Sequence, residues 1–341
     1  MGGRALKTFT RRYSREEFDQ IKEEVSQILT KGGYIEHFIP IGFNSKKDFG
    51  DLDCIIKNLH FSNKSINIRD FIKENFGDVE IFANDQCYSF PYKDFQIDFI
   101  MCIPDQYLPH VQFYRNGELS NLLGRIFRCL NLKFSSRGLV WKVKLDFDQV
   151  IDEVIITRDL SEAVDWIGLS GEKFNQGFDS ELEQWLWIEK SPFWSTSIFR
   201  LEWLTNDNRS RNKRRPSYIR FLEWLETREE VQLDYPSREY VLNWIEDRWP
   251  DAKCREKETE YLIKARQRAA NSLKFNGDLV REWTSLQGEM LGRVISAFKE
   301  RENFQDFLSS KNAEEIKQEF LAWYNRVGQF KAYPTVSLYL S

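Results

Sequence analysis

The sequence has few of the residues that form disulfides or bind soft metal ions. Its 341 residues include five cysteines without a C-x-x-C pair and three histidines without an H-x-x-x-H pattern. They are Cys54, Cys87, Cys102, Cys129, Cys254, His37, His60 and His110. Scattered cysteines are typical of reduced proteins, and structural zinc requires closely spaced thiol or imidazole ligands. We therefore expect neither disulfides nor zinc, and any catalytic metal ion should be bound by carboxylates.

Long apolar runs are also absent. No stretch approaches the ~20 apolar residues that a transmembrane helix requires. The first residues, MGGRALKTFTRRYSREEF, are basic and polar and lack the apolar core of a secretory signal. With 41% apolar and 30% charged residues, the composition is that of a globular chain. These features predict a cytoplasmic protein without a membrane partner.

The first half of the chain has the pattern of short strands mixed with a few helices. Ser14 and Glu17 form a capping box, which predicts a helix that ends near Gly32, and a second helix should end at Gly77. Strands are predicted in YIEHFIPIG, LDCII, DVEIFA, CYSFPY and FQIDFIMCI. A later helix, ELSNLLGRIFRCLNLKF, should bury its leucines and turn Arg125 and Arg128 away. The pattern indicates an α+β layout with at least four strands.

The second half differs in composition. Only Trp141 of the eleven tryptophans precedes residue 160, and the rest of the chain consists mostly of amphipathic helical patterns. Because 341 residues exceed the usual size of one domain, we predict two domains, residues 1–150 and 151–341. The second should be mostly helical and rich in tryptophan.

Two aspartates precede the strand LDCII in the stretch GFNSKKDFGDLDCII. Asp51 and Asp53 are two residues apart, so on a strand they point to the same side, where they repel each other unless a cation lies between them. Asp98 is the only charge in the strand FQIDFIM, where burying an unpaired carboxylate would be costly. Hard cations such as Mg²⁺ prefer such oxygen ligands. The three carboxylates therefore predict a metal site, although a D-x-D before a strand also occurs in ordinary loops.

The turn before these aspartates offers groups that suit a triphosphate. Backbone amides near Gly42 and Gly50 could approach phosphates closely, and Lys46 or Lys47 could add positive charge. The same glycines could instead serve only to form turns.

With these residues the chain resembles the DNA polymerase β-like nucleotidyltransferase superfamily. The signature of that superfamily is a glycine-serine turn, then D-x-D, then a third aspartate on a later strand, and it matches Gly42, Gly50-Asp51-Leu52-Asp53 and Asp98. The family usually has serine directly after the first glycine, whereas Phe43 follows here and Ser45 comes later. The resemblance implies a palm domain with a mixed sheet of about five strands flanked by helices. It also implies phosphate binding by the turn, which includes Ser45.

A second stretch, FYRNGELSNLLGRIFRCLNLKFSSRGLV, resembles the segment that follows the third aspartate in family X polymerases. The matching residues are Phe113, Tyr114, Gly117, Asn121 and Gly138-Leu139. The resemblance implies that the first four contact the sugar and base of a nucleotide, although these aromatics could also be ordinary core residues. Only about 30 residues precede the catalytic turn, which favours a simpler transferase over a templated gap-filling polymerase. Residues 275–298 are faintly similar to the C-terminal helices of tRNA CCA-adding enzymes.

The net charge of −4 gives no general sign of nucleic-acid binding, but basic residues are concentrated in one run. They are Arg209, Arg211, Lys213, Arg214 and Arg215. Such a run neutralises phosphates, and Tyr218 and Phe221 behind it could stack on bases. A charged run before a proline is equally typical of a solvated loop.

Together these features lead us to expect a metal-dependent nucleotidyltransferase. Asp51, Asp53 and Asp98 would bind two Mg²⁺ or Mn²⁺ ions, and an NMP unit would pass from an NTP or dNTP to a nucleic-acid 3′ end with little or no template. Two alternatives remain open. The acceptor could be a protein or a small molecule, or the chain could be a non-catalytic nucleic-acid-binding module.

Overall fold

A computed structural model of the chain describes residues 5–43, 46–58, 67–145 and 149–328. The described residues form ten strands: β1 (Tyr13–Ser14), β2 (His37–Phe38), β3 (Asp48–Phe49), β4 (Asp51–Lys57), β5 (Phe82–Asn84), β6 (Cys87–Tyr92), β7 (Phe95–Cys102), β8 (Leu132–Ser135), β9 (Gly138–Lys144) and β10 (Val150–Thr157). The α-helices of the first unit described below are α1 (Arg15–Lys31), α2 (Ile68–Phe76), α3 (Pro104–Arg115), α4 (Leu119–Cys129), α5 (Leu160–Trp166), α6 (Gly171–Gln176), α7 (Glu181–Ile188), α8 (Asn206–Asn212), α9 (Pro216–Leu225) and α10 (Arg238–Arg248). They are followed by α11 (Cys254–Lys274), α12 (Gly277–Thr284), α13 (Gly288–Lys299), α14 (Phe304–Ser310) and α15 (Ala313–Trp323).

The chain divides into two compact units. One comprises Met1–Lys142 and Glu153–Arg255, and the other comprises Val143–Asp152 and Glu256–Ser341. The boundary that the sequence predicts, after residue 150, falls at the beginning of β10, and the helices between Leu160 and Arg248 belong to the first unit.

The centre of the first unit is a five-stranded mixed sheet in the order β2-β4-β7-β6-β5. The central pair β4 and β7 is parallel. Strand β2 pairs antiparallel with β4, β6 pairs antiparallel with β7, and β5 pairs antiparallel with β6. A parallel pair needs a crossover between its strands, and α2, β5 and β6 all lie in that connection. The predicted mixed α and β architecture with a sheet of about five strands is confirmed.

One face of the sheet is apolar and packs on α1 and α2. Leu52, Cys54 and Ile56 of β4 alternate onto this face and join one buried cluster with residues of both helices. The capping box of Ser14 and Glu17 begins α1, as predicted. The predicted end of α2 at Gly77 is also correct.

The opposite face changes character along the strands. Asp51 and Asp53 begin it on β4, and Ile55 follows in a small cluster with Ile100 and with Val111 of α3. Helix α3 covers the apolar end of this face. The candidate functional side chains are therefore those at the polar beginning of the two central strands.

Several sequence-based expectations for this unit differ from the structure. The helix predicted through LNLKF ends at Cys129, and Leu132–Ser135 forms β8 instead. Of the predicted strand DVEIFA, only the last two residues belong to β5. The predicted strand YIEHFIPIG is reduced to the two residues of β2. Arg125, expected to point away from the apolar side of α4, is buried, with 6% of its surface exposed, whereas Arg128 is exposed. Arg125 donates to Asn121 one helical turn earlier, at 3.3 Å, and its buried Nε atom has no hydrogen-bond partner among the described residues.

Strands β10, β9 and β8 form a three-stranded sheet. In the second unit a helical core contains Phe275, Val294, Phe298 and Phe320. There the stretch NGDL is a helix cap, because the Asn276 side chain accepts the N–H groups of Asp278 and Leu279 at the start of α12.

Of the helices that the structure describes, none combines the length and the apolar character that a membrane span needs.

Candidate carboxylate site and cleft

The three predicted catalytic carboxylates lie on the two central strands of the five-stranded sheet. In the parallel register of β4 and β7, Asp53 is opposite Asp98 and Asp51 is opposite Gln96. Side chains that are opposite each other in a sheet point to the same face. The register therefore places Asp51, Asp53, Gln96 and Asp98 together at the beginning of the two strands.

Burial and mutual repulsion act on these carboxylates. Asp98 is 9% exposed, and burial, opposed by a hydrogen bond from Ser89, raises its pKa to about 6. Burial, followed by the charges of Asp51 and Asp98, raises the pKa of Asp53 well above its ordinary value. A buried group with like charges on both sides is unstable in the ionised form. Keeping the carboxylates of β4 and β7 ionised therefore costs free energy.

The Asp98 carboxylate is bound by its own strand. The amide nitrogen Nε2 of Gln96 donates to Oδ1 and to Oδ2 of Asp98, at 3.0 Å each. The carbonyl oxygen of Gln96 accepts the backbone N–H of Ala5 at 3.1 Å. This second contact fixes the orientation of the amide, since its oxygen faces a donor and its nitrogen must face Asp98.

The donor chemistry of the site fits a hard divalent cation, since all three acids offer oxygen ligands whose repulsion a cation would relieve. In the part of the chain that the structure describes, no set of three or more Asp, Glu, His or Cys side chains is arranged to hold a metal ion. The Gln96 amide occupies both oxygens of Asp98 in this arrangement.

The turn before β4 provides a glycine and a lysine next to the acids. Gly42 has a φ of 65°, and a Cβ at this position would lie 3.0 Å from Cδ of Lys46. The Lys46 ammonium lies 4.3 Å from the centre of the Phe49 ring. Desolvation there lowers the pKa of Lys46, and the charge of Asp51 opposes this effect.

Arg15 holds the same turn by its backbone. Its guanidinium donates to the carbonyl oxygens of Ile41 at 2.8 Å, of Phe43, and of Lys46 at 3.3 Å. Arg15 lies in the first turn of α1, whose apolar side is buried on the sheet. The turn is thereby attached to the core of the unit.

A cleft of about 1260 Å³ opens beside the acids, within the first unit. Its lining includes Arg12, Gly42, Lys46, Gly50 and Asp51 near the acids. Later parts of the chain contribute residues 115–118, Lys173, residues 176–182, Gln184, Trp185, Pro216, Ser217 and Arg220. A cleft of this size can enclose a nucleotide-sized ligand. Asp53 and Asp98 lie deeper in the sheet and are not among the described residues that line the cleft.

Only some of the predicted nucleotide-binding residues line the cleft. Gly42, Lys46, Gly50 and Gly117 all line the cleft. Lys47 is exposed and is not among the described lining residues, and Ser45 lies outside the part of the chain that the structure describes.

Phe113 and Tyr114 lie at the end of α3 and do not line the cleft directly. Burial and then the charge of Asp53 raise the pKa of Tyr114 to about 12, so its phenol is in the field of the carboxylates. Asn121 donates to Glu118 and to Oδ1 of Asn212, the latter at 3.3 Å. Asn121 therefore participates in a polar network between α4 and α8.

The basic run on and after α8 is only partly free for a ligand. Arg209 donates to three backbone oxygens between Leu201 and Leu204, and Arg215 forms a bidentate pair with Glu118 at 2.8 and 2.9 Å. Arg211, Lys213 and Arg214 are exposed. Two of the five predicted nucleic-acid-binding residues thus make internal contacts.

The expectation that Tyr218 and Phe221 stack on bases is wrong. Neither residue is exposed, and the Tyr218 hydroxyl donates to the carbonyl oxygen of Phe199. The amphipathic period of α9 directs both rings into the core, which the adjacent charges obscured in the sequence.

Sequence reasoning missed three residues of this region, namely Arg15, Gln96 and Arg115. Arg15 follows the capping serine and looks like an ordinary first-turn residue. Gln96 is two positions before Asp98, and Arg115 stands between the aromatic pair and Gly117. Two of these residues had a signal in the sequence. Gln96 is spaced to share a strand face with Asp98, and Arg115 lies inside the stretch FYRNGELSN.

No protein-family model matches this chain, and no curated protein shows significant similarity to it.

Proposed function

We propose that this chain is a metal-dependent nucleotidyltransferase that transfers NMP from an NTP or dNTP to a nucleic-acid 3′-hydroxyl and releases pyrophosphate, with little or no template. The observation that carries the proposal is the register of β4 and β7, which pairs Asp53 with Asp98 and sets Asp51 on the same face at the cleft. Three acids that repel one another on adjacent strands have little structural value without a cation. On this proposal the five-stranded sheet is the palm of a polymerase β-like catalytic domain.

Asp51, Asp53 and Asp98 are the residues that would hold Mg²⁺ or Mn²⁺. When bound, two such ions would stabilise charge on the reacting phosphates and on the departing pyrophosphate. Loading the site requires the Gln96 amide to share or release an oxygen of Asp98. The acids are preorganised on strands instead of loops, which favours precise placement.

The chain's own groups supply the remaining functions. On this proposal the Asp98 carboxylate would also accept the proton of the attacking hydroxyl. Lys46 would balance negative charge on the triphosphate. The turn that Arg15 holds would present backbone N–H groups near Gly42 to the phosphates. In this proposal Phe113, Tyr114, Gly117 and Asn121 shape the nucleotide side of the site.

The helices beyond residue 150 would bind the acceptor. The three exposed cations Arg211, Lys213 and Arg214 support a polyanionic acceptor. The internal contacts of Arg209 and Arg215 weaken that support, and they favour, as a second candidate, transfer to a protein or small-molecule acceptor at the same carboxylates.

The experiment that tests the proposal supplies each α-labelled triphosphate with Mg²⁺ or Mn²⁺ and a mixture of RNA, DNA and protein acceptors. We expect label on a nucleic-acid 3′ end, and its loss in Asp51→Asn. The control is Asp85→Asn, which changes an exposed aspartate in a turn whose φ of 53° suits asparagine. Label on protein alone would support the second candidate. Equal labelling by wild type and Asp51→Asn would refute both.

A further inference from the structure

Arg115 is the last residue of α3 and lines the cleft. Its guanidinium lies over the ring of Phe38, 4.7 Å from the ring centre. The Nε atom is buried and has no hydrogen-bond partner among the described residues. A guanidinium carries five N–H donors, and leaving them unmatched away from water is unfavourable.

The other guanidinium groups of the cleft are already neutralised. Arg12 forms a bidentate pair with Asp48 at 2.7 and 3.0 Å. Arg220 forms one with Glu181 at 2.7 and 2.8 Å. Among the residues that the structure describes, Arg115 has no carboxylate within ion-pair distance, so it is a cation in the cleft whose charge the protein does not balance.

The surroundings of Arg115 make this imbalance costly. Desolvation lowers the pKa of Arg115, and the opposing contribution comes from the phenol of Tyr107 and not from an acid. The group still remains charged at neutral pH, because the pKa of a guanidinium lies far above 7. A guanidinium group that is partly desolvated and permanently charged is suited to bind an anionic group of a ligand in the cleft.

The pairing of β2 with β4 shows where the Arg115 guanidinium lies relative to the acids. Phe38, beneath the guanidinium, is opposite Ile55 of β4. Ile55 is two residues after Asp53 and on the same face, a distance of about 7 Å along a strand. Arg115 therefore covers the same face of the sheet as the carboxylates, and it lines the same cleft as Gly42 and Lys46.

We propose that Arg115 binds a phosphate group of the substrate in this cleft, through the planar, bidentate geometry of its guanidinium. The proposal rests on the proposed function for the nature of the substrate, and it adds a phosphate ligand that the turn around Gly42 does not supply. The source of the phosphate is either the triphosphate of the nucleotide or the phosphodiester of an acceptor strand, and both present the same tetrahedral oxygens to the fork.

The test measures binding without requiring transfer. Inorganic tripolyphosphate, ATP and a short single-stranded oligonucleotide are titrated calorimetrically into the full chain in Mg²⁺ buffer, with Arg115→Gln, Arg115→Lys and wild type compared. We expect Arg115→Gln to weaken binding of the phosphate ligand about 10- to 100-fold. Arg115→Lys, which keeps the charge but loses the fork, should recover only part of the affinity. The matched control is Arg228→Gln, a guanidinium that is not among the described residues lining the cleft and that donates to Glu189 at 2.7 and 2.9 Å, and it should change affinity less than about twofold.

The ligands distinguish the two sources of phosphate. Weakened binding of tripolyphosphate and ATP assigns Arg115 to the triphosphate, and weakened binding of the oligonucleotide alone assigns it to the acceptor. Unchanged affinity for all three ligands in Arg115→Gln would overturn the proposal, even if wild type transfers nucleotides. Conversely, tripolyphosphate binding that depends on Arg115 in a protein that transfers nothing would leave the phosphate site standing and reject the transferase. Thermal denaturation shows whether each variant is folded, and if Arg115→Gln is not, Arg115→Lys decides between a fork and a simple charge.

Discussion

The amide of Gln96 donates to both oxygens of Asp98 at 3.0 Å, while its carbonyl oxygen accepts the N–H of Ala5 at 3.1 Å. An acid that would be costly to bury on β7 is thus stabilised by a neighbour two residues away, which is itself only 2% exposed. The N-terminal segment of the chain orients the amide, and so it acts indirectly on the acid.

The first prediction concerns this pair. Gln96→Leu removes two donors to an ionised carboxylate, and we expect a loss of about 1–3 kcal/mol in the free energy of unfolding at pH 7. In the Asp98→Asn background the same substitution should cost less, because no charge is left to stabilise. Urea denaturation of the double-mutant cycle measures the difference, and additive losses would show that the pair does not interact in the folded protein.

The second prediction concerns pH. The pKa of Asp98 is raised to about 6 from an ordinary value of 3.8, so the folded state binds a proton more tightly than the unfolded state. Stability from this group is fully present below about pH 4 and is lost as the pH rises through about 6. The advantage of Asp98→Asn over wild type in unfolding free energy should therefore increase from pH 4 to pH 7, by at most about 3 kcal/mol. A difference that stays constant or decreases over this range would contradict the raised pKa.

The third prediction separates stability from metal binding. Asp53 lies between the like charges of Asp51 and Asp98, so Asp53→Asn should raise the melting temperature of the metal-free protein, by about 2–4 °C for each kcal/mol of repulsion removed. Mg²⁺ or Mn²⁺ should raise the melting temperature of wild type and of Asp85→Asn but not of Asp53→Asn. Differential scanning fluorimetry with and without the ions measures both effects. Equal stabilisation of Asp53→Asn by the ions would exclude this acid as a ligand.

The fourth prediction concerns Arg15 and the three carbonyl oxygens that it binds. Arg15→Met should weaken tripolyphosphate binding about tenfold, since the turn would lose its fixed shape. Arg15→Lys should behave like Arg15→Met, because an ammonium group cannot reproduce a fork that reaches Ile41, Phe43 and Lys46 together. Wild-type affinity in Arg15→Lys would mean that charge alone is sufficient. Calorimetric titration with tripolyphosphate provides the measurement.

The fifth prediction distinguishes the exposed cations of the basic run from Arg215. Neutralising the exposed cations with Arg211→Gln, Lys213→Gln and Arg214→Gln should lower the slope of log affinity for a single strand against log salt by about 2. Arg215→Gln should instead destabilise the protein, because it leaves Glu118 without its bidentate partner. Filter binding at several salt concentrations and thermal denaturation distinguish these results. An unchanged slope in the triple variant would remove this surface from acceptor binding.

The sequence predicts local features of this protein well. Alternation along β4 and β7 placed Asp51, Asp53 and Asp98 on sheet faces, and the capping box of Ser14 placed the start of α1, because both signals are confined to a few neighbouring residues. The pairing of Asp53 with Asp98 depends on how two strands 45 residues apart align, and no local pattern encodes it.

Partners distant in sequence account for the expectations that failed or changed. Arg215 is 97 residues away from the Glu118 that binds it, so a run of charges looked uniformly available. Tyr218 and Phe221 stand directly behind that run, but the core that buries them is supplied by residues such as Phe199 and Trp194. A sequence shows which residues are charged or aromatic, but only the fold shows which neighbours contact them.

The attachment of the Gly42 turn to α1 through Arg15 has a consequence for motion. Because the guanidinium binds three carbonyl oxygens of the turn and the helix packs on the sheet, the wall of the cleft that contains Lys46 cannot swing independently of the core. Any closure around a ligand would then have to involve other residues of the lining, such as residues 177–180 between α6 and α7, where Gly177 has a φ of 94°. On the proposed function, the acids and the turn around Gly42 would form a fixed base against which a ligand is held.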